Sequence, residues 1–257
     1  MTAEQRCRLL AILAHPDDES RIVGGTLAKY ADAGVGVGLI CATRGEAGGV
    51  GDPPVCRPEE LPGVREAELR AACAILGVDH LVILGYRDRT LPQVNPTEIV
   101  GRLVAEIRRL QPEAIITFGP EGRTLHPDHI AIHRYTTQAF HRAGDRDAYP
   151  AHEHQGLAPH APAKLYYTTF PQSVREAIGP RFPGQPDEEI TVSLDVAPWL
   201  DRKRRATEAH RTQRRPPFAH LPEVRRWEIL SREYYFRAAS RLRTHPRHEE
   251  DIFDGLG

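Results

Sequence analysis

Lysine is nearly missing from this chain: Lys29, Lys164 and Lys203 are its three lysines among 34 basic residues, and Met and Trp are as scarce, at one and two. Arginine carries the positive charge, which reads as compositional bias before function. Net charge is missing as well, because 35 acidic residues leave a formal −1 at pH 7, so no global field draws in nucleic acid or an anionic membrane. The local run Arg202-Lys203-Arg204-Arg205, with Arg214-Arg215 behind it, has acids interspersed in a helical context and reads as a solvated helix face. The four cysteines, Cys7, Cys41, Cys56 and Cys73, form no CxxC pair and are too sparse for a disulfide scaffold; they fit buried or incidental thiols of a reducing compartment. No apolar run approaches the roughly 20 residues of a membrane span. The short one near the start runs straight into His-Pro-Asp-Asp, so it reads as neither signal peptide nor anchor. A cytoplasmic protein is therefore expected, and 257 residues suit a single α/β domain over the whole chain.

What is present alternates. Short β-rich apolar runs at 8–14, 35–43, 80–85 and 114–119 predict strands buried on both faces. Helical periodicity near 21–34, 65–76, 96–110 and 127–142 separates or follows them. That order predicts an α/β fold of Rossmann-like type, a mostly parallel sheet with helices on both faces. Further strands are expected at Lys164-Phe170 and Glu189-Val196, a helix from Pro198 to about Gln213, and a last helix over roughly 222–240. Residues 144–163, with His152, His154 and His160, read as a long surface loop bordering the site. Residues 244–257, with His245 and His248, read as a frayed tail. A dinucleotide-binding reading gains nothing from Gly34, Gly36 and Gly38, which lead into the second strand where no strand-to-helix phosphate turn is expected.

Two polar clusters carry the chemistry. Ala14-His15-Pro16-Asp17-Asp18-Glu19 follows the first apolar run, and His126-Pro127-Asp128-His129 follows the fourth. Both therefore fall at carboxyl ends of strands, where open α/β sheets place their ligands. In a turn, residues three apart share a side while neighbours point apart. His15 and Asp18 can thus converge on a metal, leaving Asp17 to work on water. His126 and His129 have the same spacing, so one imidazole can complete a His-Asp-His set while the other stands over the substrate. Such a set suits zinc, which in catalytic sites takes three protein ligands and keeps one position for water. Either cluster alone reads equally as a helix start, with Pro at the first position and acids at the positive dipole end; two intact clusters about a hundred residues apart are not explained by capping.

On these residues the chain resembles the LmbE-like zinc N-acetylglucosaminyl deacetylases, which include the phosphatidylinositol-glycan class L enzymes and the deacetylases of mycothiol and bacillithiol biosynthesis. The AHPDDE signature stands whole at 14–19 and HPDH at 126–129. Weaker matches are Thr43-Arg44-Gly45-Glu46-Ala47-Gly48, Val64-Arg65-Glu66-Ala67-Glu68-Leu69-Arg70, Leu84-Gly85-Tyr86-Arg87-Asp88 and Ala209-His210-Arg211-Thr212-Gln213, so the likeness spans roughly 8–215. The resemblance implies that His15, Asp18 and His129 bind one zinc ion, that Asp17 is the general base and that His126 is its catalytic partner. Asp128 is best placed to orient an imidazole, though the sequence does not say which one. Other divalent metals suit the same ligand set.

Arg44 and Glu46 follow the second strand, so they are expected beside the metal as a charged pair able to hold sugar hydroxyls. Arg65 and Asp88 match positions that contact substrate in relatives, although Arg65 reads equally as a helix-surface ion pair with Glu66 or Glu68. Gly45, Gly48, Gly49 and Gly51 give the 43–51 loop the composition of a lid. The expected activity is removal of the acetyl group from an N-acetylglucosamine-type sugar or conjugate. A zinc amidase of another small amide and a catalytically silent sugar binder are the alternatives. The partner is a small molecule, with neither nucleic acid nor membrane involved, and a homo-oligomer is compatible with the family.

Overall fold

Residues 6–179, 182–214, 218–244 and 246–256 are described by the computed structural model, and His245 lies outside them. One seven-stranded sheet forms from β1 (Cys7–Leu13), β2 (Gly36–Thr43), β3 (His80–Tyr86), β4 (Ala114–Phe118), β5 (Lys164–Thr169), β6 (Val192–Asp195) and β7 (Arg232–Ser240), in the order β3-β2-β1-β4-β5-β7-β6. The first five run parallel, while β7 is antiparallel to both β5 and β6. β1, β2 and β4 are buried almost throughout, as apolar runs without alternation require when helices cover both faces.

The helices are α1 (Asp18–Ile22), α2 (Gly24–Asp32), α3 (Leu61–Leu76), α4 (Pro96–Leu110), α5 (Gly122–Leu125), α6 (Pro127–Arg142), α7 (Gln172–Ile178), α8 (Leu200–Ala209) and α9 (Glu223–Leu230). α4 starts where Asn95 accepts the Thr97 N–H (2.9 Å) ahead of Pro96, and stops at Gln111 in the left-handed region. Right-handed crossovers put α2 and α3 on one face and α4 and α6 on the other, with α3 packed on α8 and α4 on α6. The sheet winds outward in opposite directions from β1 and β4. Those two strands are neighbours, so their carboxyl ends open the crevice at the topological switch point.

Several sequence expectations give way. The helix expected over 21–34 is two, α1 and α2, and the one from 198 to 213 is α8 followed by a 3₁₀ turn at Arg211–Gln213. The helix expected over 222–240 ends at Leu230, and the remainder is strand β7. Glu, Arg and Ala favour a helix locally, but pairing with β5 and β6 overrides that preference. The inward side chains of β7 include Glu233 and Tyr235. The Glu233 carboxylate accepts the N–H groups of Gly25 and Thr26 at the start of α2 and meets Lys203 Nζ at 2.6 Å.

Residues 246–256 of the expected frayed tail are docked. Lys164 and Glu249 are both sealed from solvent and bonded at 2.7 Å, and Glu249 also accepts from Tyr166 (2.6 Å) and meets Arg237 Nη1 at 2.6 Å. A buried ammonium on β5 needs a carboxylate, and among the described residues the docked tail supplies it. Replacing Glu249 by Ala should therefore destabilise the fold by about 3–5 kcal/mol, the usual cost of an uncompensated buried charge. Urea denaturation measures this, and a loss under about 1 kcal/mol would count against the account. The 144–163 segment likewise packs down: Arg108 of α4 donates to the carbonyls of Ala143, Asp145 and Ala148, and His160 Nε2 bonds the Pro112 carbonyl. Its contacts run to α4 and the lead-in of β4, whereas the sequence reading had it bordering the site.

Candidate functional site

Both motif clusters meet at the switch point. β1 delivers His15 and Asp18, β4 and the 119–126 turn deliver His126, and the first turn of α6 delivers Asp128 and His129. His15 Nδ1 lies 3.1 Å from His129 Nε2, and the Asp18 carboxylate is 3.6 Å from the first and 3.4 Å from the second. Tetrahedral ligands about 2.0–2.1 Å from a zinc ion stand roughly 3.3 Å apart, so this triangle has the size of a metal's coordination face. The three are buried, with exposures of 6–8%.

The outer partners decide which nitrogens face inward. His129 Nδ1 lies 2.9 Å from the Gly122 carbonyl, an acceptor only, so its proton sits there and Nε2 keeps its lone pair. His15 Nε2 lies 3.1 Å from Asp128 and 3.2 Å from Asp88, which draw its proton outward and leave Nδ1 facing His129. Two lone pairs and a carboxylate that converge in a buried space repel unless a cation joins them, and this is the fit of the site to a metal. A proton is the simplest such cation. Burial opposes a charged His15, but Asp128, Asp18 and Asp88 outweigh it and raise its proton affinity well above the ordinary value. His129, desolvated, falls to about 4. His15, His126 and His129 also form a possible three-histidine set, and His15, Asp88 and Asp128 another; in the latter the carboxylates meet the nitrogen that faces outward.

Asp128 thus serves His15. It is fully buried, and it also accepts the N–H groups of Arg89 (2.7 Å) and Leu91 (3.1 Å), tying the turn after β3 to the site. His126 caps α6: its Nδ1 accepts the Asp128 N–H (3.2 Å), leaving Nε2 to carry the ring proton. It is half-buried, edge-on to His15 at 4.8 Å, and burial lowers its pKa. Asp17 holds φ at 117°, a strained value for a residue with a side chain. Its carboxylate faces Arg21 Nε at 3.1 Å and Arg65 at 3.5 Å. Burial, and then the Asp18 charge, push its pKa up to about 6.

The four residues expected at the substrate gather about the loop after β2, with Arg44 exposed, Glu46 half-buried and Arg65 and Asp88 buried. Arg44 is exposed and paired with Glu66 (3.0 Å). Asp88 lies inside, accepting the Ala47 N–H and touching His15, while Glu46 Oε1 accepts the Asp88 N–H and its buried Oε2 has no partner among the described residues. Arg65, 3% exposed, sits beneath the loops and donates to the carbonyls of Gly45 and Pro16. Gly45, at φ 68°, and Gly48 leave room for it: a Cβ on either would lie 2.3–2.5 Å from the Arg65 guanidinium, which would have to shift.

The sequence offers Glu19 no role, and His210 at most one of closing over the site from the C-terminal region, although the AHPDDE and Ala209–Gln213 matches hold them. Thr212, Gln213 and Arg214 join Asp17, Arg21, Gly49, Gly51 and Asp52 around a cavity of about 550 Å³ beside the site. A larger hollow of about 950 Å³ meets it at Arg21 and Arg214.

Residues 10–140 match the family described as GlcNAc-PI de-N-acetylase, PIG-L. The chain is 34% identical to the 1D-myo-inositol 2-acetamido-2-deoxy-alpha-D-glucopyranoside deacetylase of Rhodococcus erythropolis, with 100% of this chain and 99% of the relative covered. Among solved structures it is similar to the conserved protein TT1542 from Thermus thermophilus (27% identity, TM-score 0.68, 93% and 97% covered). It shares its fold with GalB, the 4-carboxy-2-hydroxymuconate hydratase of Pseudomonas putida KT2440 (18% identity, TM-score 0.68, 93% and 99% covered). One fold therefore carries different reactions, and the site has to choose between them.

Proposed function

This chain belongs to the GlcNAc-PI de-N-acetylase (PIG-L) family, and from that premise we propose that it is a zinc-dependent hydrolase that removes the acetyl group from an N-acetylglucosamine-type sugar or conjugate. The observation that carries the reading is the convergence of His15 Nδ1, the Asp18 carboxylate and His129 Nε2 within 3.1–3.6 Å, each imidazole turned by a partner on its other nitrogen. These three residues would hold the zinc. When bound, it would supply Lewis acidity, lowering the pKa of water at its open position to about 7 and polarising the acyl carbonyl.

The remaining steps belong to side chains. Asp17 takes the proton of the attacking water, held towards the cavity by Arg21 and Arg65. His126 presents its Nε2 N–H to the oxyanion, and the proton that Asp17 has taken passes on to the departing amine. Asp128 and Asp88 keep His15 in the tautomer that points Nδ1 inward. The cavity of about 550 Å³ beside Asp17 is of the size that holds a small ligand, and the adjoining hollow leaves room for an aglycone. The aglycone of the Rhodococcus relative is an inositol, which makes an inositol conjugate the first substrate to test.

The test is acetate release from N-acetylglucosaminyl-inositol, from other N-acetylglucosaminyl conjugates and from simple acyl amides. Equimolar acetate and free amine from the sugar conjugates is the expected result. Inert sugars together with turnover of another amide would leave the metal chemistry standing and remove the sugar.

A further inference from the structure

We infer that Glu19 is a positioning residue for Asp17, and that His210, arriving from the C-terminal segment, holds Glu19 to that task. The inference rests on the reading of Asp17 as the general base. Glu19 Oε2 accepts the backbone N–H of Asp17 at 2.9 Å, and Glu19 Oε1 bonds His210 Nε2 at 2.7 Å. Both side chains are closed to solvent, with Glu19 1% and His210 0% exposed. The N–H that Glu19 grips belongs to the residue whose φ of 117° is strained, and such a conformation persists only when its surroundings over-determine it.

A capping bond for the five residues of α1 explains neither the burial nor the second partner 191 residues away. Desolvating a carboxylate and an imidazole together adds little net stability. What the pair does supply is a fixed point. The His210 segment is itself clamped, because Thr212 donates its N–H and its hydroxyl to Glu68 at 2.9 and 2.6 Å. Glu19 therefore cannot follow Asp17 if the turn relaxes. Without that grip Asp17 is free to return towards negative φ, which swings its carboxylate off the water it must deprotonate; a displacement of about 1 Å is enough to cost on the order of 10²-fold in rate.

Four variants test this: Glu19→Ala, Glu19→Gln, His210→Gln and the Glu19→Ala/His210→Gln double. Each is loaded with zinc, its metal content is measured, and kcat is expressed per bound zinc. Glu19→Ala should lose about 10²-fold in kcat with KM unchanged. Glu19→Gln, whose amide oxygen can accept the same N–H, should recover most of it. His210→Gln should fall between, and the double variant should be no worse than Glu19→Ala, because the two residues act through one contact.

Hydrogen exchange at the Asp17 amide, measured without substrate, should quicken in Glu19→Ala and stay slow in Glu19→Gln. Should Glu19→Ala not fold, His210→Gln carries both readouts in the same direction. Unchanged kcat per zinc with only lower stability or metal content makes the pair structural and overturns the inference, as does unchanged exchange at Asp17. A wild-type protein inert on every amino sugar would overturn the proposed function, while the exchange rates would still decide the role of Glu19.

Discussion

Asp17→Asn should lower kcat by about 10²–10⁴-fold, the range general-base catalysis contributes, while zinc content and the thermal midpoint hold. The amide keeps the size of the carboxylate and an oxygen for Arg21 Nε, now 3.1 Å from Oδ2, but it cannot take a proton. Stability follows from the direction of the pKa shift. Burial and Asp18 raise Asp17 to about 6 in the metal-free protein, above the roughly 3.9 of an unfolded chain. A raised carboxyl pKa means that its ionised form weakens the native state, increasingly as pH climbs from about 4 through 6. The neutral Asn removes that cost, so the metal-free variant at pH 7 should melt no lower than the wild type. Stopped assays, metal analysis and calorimetry give the three readouts; turnover within about threefold of wild type would remove Asp17 from the mechanism.

His129→Ala should abolish both activity and the metal-dependent part of stability. It deletes the corner at 3.1 Å from His15 and 3.4 Å from Asp18, leaving two protein ligands where catalytic zinc takes three. A metal at a thousand times its Kd stabilises the native state by about 4 kcal/mol, which for a chain of this size raises Tm by roughly 10 °C. Wild type stripped with a chelator should lose that increment and regain it with Zn²⁺, whereas His129→Ala should show the same Tm with and without metal. A full zinc equivalent retained by His129→Ala would assign the ion to other residues, for which His15, Asp88 and Asp128 form a possible set.

The elements that were readable from sequence are those whose signal is local. α4 and α6 run over the residues that periodicity assigns them, 96–110 and 127–142, because a Pro at the first position and an amphipathic stripe both lie within the helix itself. β7 was not readable, since its Glu-, Arg- and Ala-containing sequence becomes a strand only by pairing with β5, about 70 residues earlier in the chain. The docked tail is hidden in the sequence for the same reason: the Glu249 that pairs with Lys164 lies 85 residues further along the chain.

At the site, the His-Pro-Asp-Asp and His-Pro-Asp-His patterns name the ligating chemistry, because residue type and three-residue spacing alone restrict which side chains can share a face of a turn. Asp128's choice of His15, the withdrawal of Arg65 and Asp88 from the rim, and the contact of His210 with Glu19 depend on which strands end side by side. The alternating α/β order and the identity of the two polar clusters are legible along the chain, since periodicity and motif are properties of sequence neighbours. Which nitrogens face inward, which carboxylates stand behind them and what holds Asp17 in its turn emerge with the fold. Those contacts are set by sheet order and burial, and the Glu19–His210 bond spans 191 residues of chain.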